Sequence, residues 1–130
     1  MKASCGGHRA AIQEHGLRVE SIDGDFNIDP APVHEDPAKV GPVDLVILAT
    51  KTWQVPEAIV QMPPLIGPET MILPLQNGVD TMERLASAIG PERVLGGMCR
   101  ISAFGAAPGF IRHVAIPASL AFGELDGRRS

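Results

Sequence analysis

Two short apolar runs that each end abruptly in polar residues constrain the fold of this chain more than any other feature. The first extends from Asp44 to Gln54 and the second from Thr70 to Gly78. Residues 53–62 between them show helical alternation up to Pro63-Pro64, where a helix cannot continue because proline lacks an amide donor. This order predicts two buried parallel strands joined by a right-handed helical crossover.

Candidate ligand-binding residues follow both predicted strands. Lys51 comes directly after the first apolar run, beside Gln54, and Asn77 follows the second run. Ligands of open α/β sheets bind outside the carboxyl ends of the strands, so we expect these residues to face one crevice. Lys51 suits a phosphate or ribose, the alternative being a solvated lysine at a strand end. Asn77 can donate and accept, although Asn-Gly is also a common turn signal.

Three other residues near these motifs have simpler interpretations. Trp53, the only tryptophan, is predicted to pack the start of the helix against the sheet. Pro74 would interrupt a strand ladder and is predicted to end the second strand, which leaves Leu75 to Gly78 as a loop over the crevice. His113 lies in an alternating strand and is interpreted as a structural or surface histidine instead of a catalytic base.

The amino-terminal part is predicted to form a helix followed by strands. Residues 8–15 form the helix, and Gly16 is well placed as the left-handed residue just past its end. Residues 17–22 alternate apolar and polar side chains, which predicts a half-exposed strand at a sheet edge. Residues 26–28 are predicted as a short strand inside the connection from Asp23 to Pro42, which is rich in proline and acidic residues.

The carboxy-terminal half is predicted to form one more helix and then antiparallel strands. Residues 79–89 have helical apolar spacing and are ended by Gly90-Pro91. The segments after this helix are predicted as a strand over 93–104 interrupted at Gly96-Gly97, a turn over 105–109, and strands over 110–115 and 118–124. The whole chain, 1–130, is therefore predicted as one α/β domain with a doubly wound, mainly parallel sheet finished by antiparallel strands.

Charge and composition exclude several functional classes. A hydrophobic fraction of 45% and a charged fraction of 20% are ordinary for a soluble globular domain. The net charge of −4 offers no attraction for nucleic acid or anionic membranes, and the carboxylates lack the spacing of a metal loop. Cys5 and Cys99 are too few for a disulfide framework or a zinc site, which favours a reducing cytoplasm.

Four motifs together resemble a known enzyme family. The segments 49–54, 75–79, 109–113 and 122–124 strongly resemble the nucleotide-binding domain of ketopantoate reductases, or 2-dehydropantoate 2-reductases, and the similarity covers nearly the whole chain. The resemblance implies a Rossmann-like dinucleotide-binding fold and NADPH-dependent reduction of 2-dehydropantoate to pantoate in coenzyme A synthesis. It implies cofactor contacts for Lys51, Gln54, Asn77 and Ala103, and a substrate contact for Asn77.

The chain also departs from the pattern of this family. The family's first strand and Gly-x-Gly-x-x-Gly turn would precede residue 1, so we expect a partial domain whose sheet lacks its first strand. Cys5 stands where members often carry an arginine, which leaves NAD open beside NADP. The proton-donating lysine of the family would lie in a helical domain beyond Ser130. No catalytic residue is therefore assigned within these 130 residues, and we expect the chain alone to be inactive.

Three functional hypotheses follow from these patterns. The first is part of a ketopantoate reductase acting on a small 2-oxo acid, with NADP as cofactor. The second is a non-catalytic Rossmann-like binding module, in which an unpaired sheet edge favours a homo-oligomer or a complementing chain. The third is a reductase of another 2-oxo acid. Nucleic acid, membrane and metal have no place in any of the three hypotheses.

Overall fold

The computed structural model describes residues 5–76 and 80–127. The chain divides into two compact units. The first combines the residues up to Val33 with Arg100–Ser119, and the second combines His34–Cys99 with the residues from Leu120 onward. Both units contain strands and helical turns, and the α/β class with mixed parallel and antiparallel pairing is confirmed.

The first unit is one helix with a four-stranded sheet. Its elements are α1 (Cys5–His15), β1 (Leu17–Ser21), β2 (Phe26–Ile28), β6 (Ala103–Ala107) and β7 (Phe110–His113). The strand order is β2-β1-β7-β6, with β1 parallel to β7 and the other two pairs antiparallel. The predicted helix and the short second strand are confirmed.

The prediction that the strand after α1 lies at an edge is wrong. This strand, β1, pairs with β2 on one side and with β7 on the other. Alternation of apolar and polar residues indicates a sheet with one solvated face, and an interior strand of such a sheet alternates as clearly as an edge strand does. The partner β7 is far away in sequence, so no local pattern could indicate it.

Gly16 ends α1 as predicted. Its φ is +76°, and its N–H donates to the carbonyl of Ile12 at 2.9 Å. A Cβ atom at this position would lie 2.5 Å from the carbonyl oxygen of Ile28, so both the left-handed backbone and the close approach of β2 require glycine. This glycine therefore fixes the path from α1 into β1.

His113 has a structural role in the first unit, in agreement with the prediction. Its side chain is 6% exposed, and both ring nitrogens have partners. Nδ1 lies 2.8 Å from the Ser21 hydroxyl, and Nε2 lies 2.7 Å from the carbonyl oxygen of Ile116. The carbonyl can only accept, so Nε2 carries a proton and donates to it. His113 thus ties β7 to β1 and to the turn that follows β7.

The second unit packs its helices on a parallel strand pair. Its elements are β3 (Val43–Leu48), α2 (Val55–Gln61), β4 (Ile66–Pro74), α3 (Asp80–Ile89), β5 (Leu95–Arg100) and β8 (Ser119–Glu124). Strands β3 and β4 run parallel, and β5 pairs with β8. The buried core joins both helices to one face of the strand pair and consists of Leu48, Val55, Met62, Ile72, Leu85 and Val94. The predicted strand, helix and strand are therefore confirmed.

The apolar run of β3 is only half buried, contrary to the prediction. Val46 packs against the core and Leu48 is 5% exposed, whereas Leu45 and Ile47 are 46% and 53% exposed. Within the described part of the chain β3 pairs with β4 alone. A run of consecutive apolar residues predicts burial of both faces, but here the helices cover only one of them.

Trp53 does not pack against the sheet as predicted. It lies in the single 3-10 turn Thr52–Gln54 that precedes α2, and it is 78% exposed. Val55, which is completely buried, anchors the start of α2 instead. The size of the indole side chain suggested a packing role for Trp53, but Val55, two residues later, is the residue that packs in the core.

The segment predicted as one interrupted strand forms two strands in different units. These are β5 in the second unit and β6 in the first, and β6 extends through Ala107 into the predicted turn. Gly97 does not interrupt β5. A Cβ atom there would lie 2.5 Å from Cδ1 of Leu73 and 2.9 Å from the carbonyl oxygen of Pro74, so the glycine permits close approach to β4.

The other predicted helices and strands are confirmed, with small differences at their ends, whereas the predicted loop from Leu75 to Gly78 extends outside the described residues. β4 ends at Pro74, and α3 begins at Asp80 with its apolar face on the core. No helix in the described ranges is long and apolar enough to cross a membrane.

Candidate functional site

The carboxyl ends of β3 and β4 meet at one edge of the second unit. In the parallel register Leu48 lies opposite Pro74, and the N–H of Leu75 then donates to the carbonyl of Leu48 at 2.9 Å. The two strands therefore stay hydrogen-bonded one residue beyond the end of β4. The polar residues that follow each strand, Thr50 and Lys51 after β3 and Gln76 after β4, therefore emerge at the same edge, as predicted for Lys51.

Lys51 and Gln54 form a closed turn at the end of β3. The backbone N–H of Lys51 donates to Oε1 of Gln54 at 3.0 Å, and the N–H of Gln54 donates to the carbonyl of Lys51 at 2.8 Å. This reciprocal pair fixes the backbone of Lys51 in an extended conformation, with φ −68° and ψ 147°. The ammonium of Lys51 and the amide NH₂ of Gln54 remain solvent-exposed at the sheet edge, where both can donate to a ligand.

Gln76 joins the end of β4 to the end of β3. Its amide Nε2 lies 3.4 Å from the hydroxyl of Thr50, and its Oε1 is buried without a hydrogen-bond partner in the structure. The two ends of an amide are assigned from the hydrogen bonds they make. In the orientation of the structure, Nε2 faces Thr50 and Oε1 has no partner.

Thr81 supplies a second unpartnered polar group close in sequence. It lies in the first turn of α3, is 2% exposed, and its Oγ1 has no partner. Among the described residues of the second unit, Gln76 and Thr81 carry the buried side-chain polar atoms that lack hydrogen bonds. Buried polar groups are usually satisfied, so these two exceptions are candidate ligand-binding groups.

The predicted site residues are distributed as follows. Lys51 and Gln54 lie together in the turn after β3. Asn77 lies outside the described residues, so its predicted contacts stay predictions. Ala103 belongs to the first unit, where it is exposed at the start of β6 and pairs with His113.

The described residues at this edge fit a nicotinamide nucleotide. The exposed ammonium of Lys51 complements the charge of a phosphate, and the NH₂ of Gln54 can donate to a phosphate or ribose oxygen. The unpartnered end of Gln76 is an orphaned polar group beside them, and a hydroxyl or amide of a ligand could satisfy it. Helix α2 has only 7 residues, so the binding argument rests on side chains and not on its dipole.

A cavity of the second unit is lined by other residues. Its volume is about 450 Å³, and it is lined by Met71, Glu92, Val94, Glu124 and Asp126, among others. Residues 91–94 precede β5, so this cavity is at the amino end of that strand, and three acidic side chains surround it. Such a lining repels phosphate, whereas the carboxyl ends of β3 and β4 carry Lys51 and lie where open α/β sheets bind ligands.

Sequence reasoning overlooked Thr50, Gln76 and Thr81 as members of the site. Thr50 and Gln76 directly precede Lys51 and Asn77, so their positions in the two motifs were a usable signal. Thr81 gave no signal, because a threonine in the first turn of a helix ordinarily indicates nothing beyond solvation or capping.

Comparison with known proteins places the whole chain in one group. The family model described as ketopantoate reductase PanE/ApbA matches residues 5–127. A 2-dehydropantoate 2-reductase of Nostoc sp. is 32% identical over 103 residues, which are 79% of this chain and 32% of that protein. The chain thus spans about a third of the length of this relative.

Solved structures of related enzymes are also similar to this chain. The crystal structure of 2-dehydropantoate 2-reductase from Geobacter metallireducens matches with a TM-score of 0.85 and 34% identity, over 92% of this chain and 40% of that one. A ternary structure of D-mandelate dehydrogenase with NADH and anilino(oxo)acetate matches with a TM-score of 0.79 and 26% identity, over 93% of this chain and 39% of that one.

Proposed function

This chain belongs to the ketopantoate reductase PanE/ApbA family, and we propose that it provides a nicotinamide-nucleotide site for the NADPH-dependent reduction of 2-dehydropantoate to pantoate. The observation that carries the proposal is the polar edge formed by Lys51, Gln54 and Gln76 at the carboxyl ends of two parallel strands. The chain spans 32% to 40% of the compared relatives, so the proposal concerns its share of the reaction.

Each residue has a proposed role in binding. Lys51 contacts a phosphate or ribose oxygen of the cofactor, and Gln54 donates from its NH₂ while its oxygen holds the turn. Asn77 contacts the cofactor ribose and the substrate, and Ala103 lines the cofactor. When bound, the nicotinamide supplies the hydride that reduces the ketone. The chain's own residues bind and orient, and none is assigned the proton transfer.

Nucleotide binding by the 130-residue chain tests this proposal. NADPH is titrated against the protein by calorimetry, and the emission of Trp53 is followed in parallel, because a nicotinamide close to Lys51 should quench an indole two residues away. Replacing Lys51 by alanine should weaken NADPH binding about tenfold or more, since a charge-assisted hydrogen bond contributes about 1.5–3 kcal/mol. Lys39→Ala, in a separate 3-10 turn, is the matched control. A folded chain that binds no nicotinamide nucleotide would refute the proposal.

A reductase of another 2-oxo acid is the second candidate. The similarity to D-mandelate dehydrogenase in complex with NADH favours including it. The same titration is therefore performed with NADH, and oxidation of each cofactor is followed with 2-dehydropantoate and with phenylglyoxylate. Preference for NADPH and 2-dehydropantoate supports the first candidate, and preference for NADH and the aromatic acid supports the second. Binding without turnover agrees with the expectation that the chain alone is inactive.

Two further expectations remain proposals. A cytoplasmic location rests on the small number of cysteines, and a homo-oligomer or complementing chain rests on β3, whose described pairing is with β4 alone. Light scattering at several protein concentrations tests the second, with a monomer at all concentrations as the outcome that contradicts self-association.

A further inference from the structure

We propose that Thr50 and Gln76 act as a positioning pair that fixes the turn carrying Lys51 against the end of β4 for the nucleotide. The inference rests on the proposed function and adds to it a positioning role for the contact between Thr50 and Gln76, neither of which contacts the reacting atoms. Each of the two candidate ligand residues directly follows one member of the pair. A contact between Thr50 and Gln76 therefore links the two motifs through one hydrogen bond.

The link extends the strand ladder beyond its last backbone bond. Leu75 donates to Leu48 at 2.9 Å, and the next cross-strand contact is the 3.4 Å contact between the Gln76 amide and the Thr50 hydroxyl. After this contact the segment that follows β3 enters the 3-10 turn. The side-chain pair thus connects the two segments directly before Lys51.

Covalent geometry makes such a link effective. Consecutive Cα atoms are about 3.8 Å apart, so fixing residue 50 confines Lys51 to a small volume. Lys51 is confined further by its reciprocal hydrogen bonds with Gln54. Binding of one nucleotide by two separate segments requires their spacing to be set in advance, because loss of about 1 Å in position can cost a large factor in function.

A purely stabilising role does not account for the pair equally well. Thr50 is exposed, Gln76 is half-buried, and their contact is long. An exposed contact of this kind adds little to folding stability. Its removal should therefore change ligand binding more than it changes the melting temperature, and that difference separates positioning from stabilisation.

The test compares NADPH binding and melting temperature across a set of variants of the full chain. Thr50→Val and Gln76→Leu each remove one partner, and the double variant removes both. Thr50→Ser retains the hydroxyl and should restore binding. Gln61→Leu is the matched control, because it removes an exposed amide contact at 3.2 Å to Glu57 in the same unit.

The expected result is a roughly tenfold loss of NADPH affinity in each single variant and no further loss in the double variant. The melting temperature should be unchanged in Thr50→Val and should not fall in Gln76→Leu, which also removes the unpartnered Oε1. Thr50→Ser and Gln61→Leu should bind like the unaltered chain. The effect of Lys51→Ala should also shrink in the Thr50→Val background, because a misplaced lysine contributes less.

Two results would overturn the inference. Unchanged affinity in Thr50→Val or Gln76→Leu would show that the pair positions nothing, and additive losses in the double variant would make the residues independent contacts. Both results require an unaltered chain that binds NADPH. If the folded, unaltered chain binds no nucleotide, the proposed function itself fails and the positioning role fails with it.

Discussion

Two buried threonines of the second unit should respond in opposite directions to the same substitution. Thr70 is 1% exposed and Thr81 is 2% exposed. The Thr70 hydroxyl accepts from the N–H of Gly67 at 2.7 Å and donates to the carbonyl of Val43, whereas Thr81 Oγ1 has no partner. Valine has the shape of threonine without the hydroxyl, so the substitution isolates the hydrogen bonds.

The expected magnitudes follow from these contacts. Thr70→Val removes two hydrogen bonds of about 1 kcal/mol each and leaves their partners poorly satisfied, so the free energy of unfolding should fall by about 2–4 kcal/mol. Thr81→Val removes a hydroxyl that is buried without compensation, and should raise the free energy of unfolding by about 1 kcal/mol. Valine and threonine have similar helix propensities, so the position of Thr81 in α3 does not confound the comparison.

Urea unfolding followed by circular dichroism measures both effects. The midpoint should fall in Thr70→Val and rise in Thr81→Val, with an unchanged slope in each case. Thr81→Ser is the control, because it retains the hydroxyl and loses only the methyl group, and it should be destabilising. If Thr81→Val is destabilised as much as Thr70→Val, the Thr81 hydroxyl has a partner, and the interpretation of Thr81 as an unsatisfied group of the site is wrong.

Three smaller predictions concern single positions. Gly97→Ala should destabilise the protein by about 1–3 kcal/mol, because the new Cβ atom would lie 2.5 Å from Cδ1 of Leu73. Gly123→Ala is the control and should be nearly neutral, because a Cβ atom there has no atom within 4 Å. Thermal melting compares the two variants. Trp53→Ala should change the free energy of unfolding by less than about 0.5 kcal/mol, since the indole is 78% exposed, and a larger loss would mean that it packs. Glu20→Gln should cost about 1 kcal/mol or less, because both arginine partners are exposed; any loss should shrink in high salt.

Local patterns were sufficient to predict most elements of secondary structure. The helix before Gly16, the crossover around α2 and the end of β4 at Pro74 all follow from helical spacing and from residues that break it. Pairing between strands distant in sequence was not predictable. β1 is an interior strand because β7 pairs with it, and nothing near Leu17–Ser21 identifies that partner.

The site was predictable in its location and only partly in its members. Lys51 and Gln54 were identified from their place after an apolar run, and the structure adds that the Gln54 oxygen holds the backbone of Lys51. The position of Gln76 in its motif was a usable signal, but only the structure shows that one end of its amide has no partner. Hydrogen-bond partners of buried polar groups can be identified only in the structure, whereas the end of a strand can be predicted from the sequence.

The half-exposed strand β3 shows which of its residues position the site. Leu48 is 5% exposed, packs in the core and accepts the hydrogen bond from Leu75. Leu45 and Ile47 point away from that core and are about half exposed. The strand end that precedes Lys51 is therefore held by its covered face and by the bond to Leu75. Polar substitutions at Leu45 or Ile47 should leave the geometry of the site intact, whereas truncation of Leu48 should disturb both the core and the site.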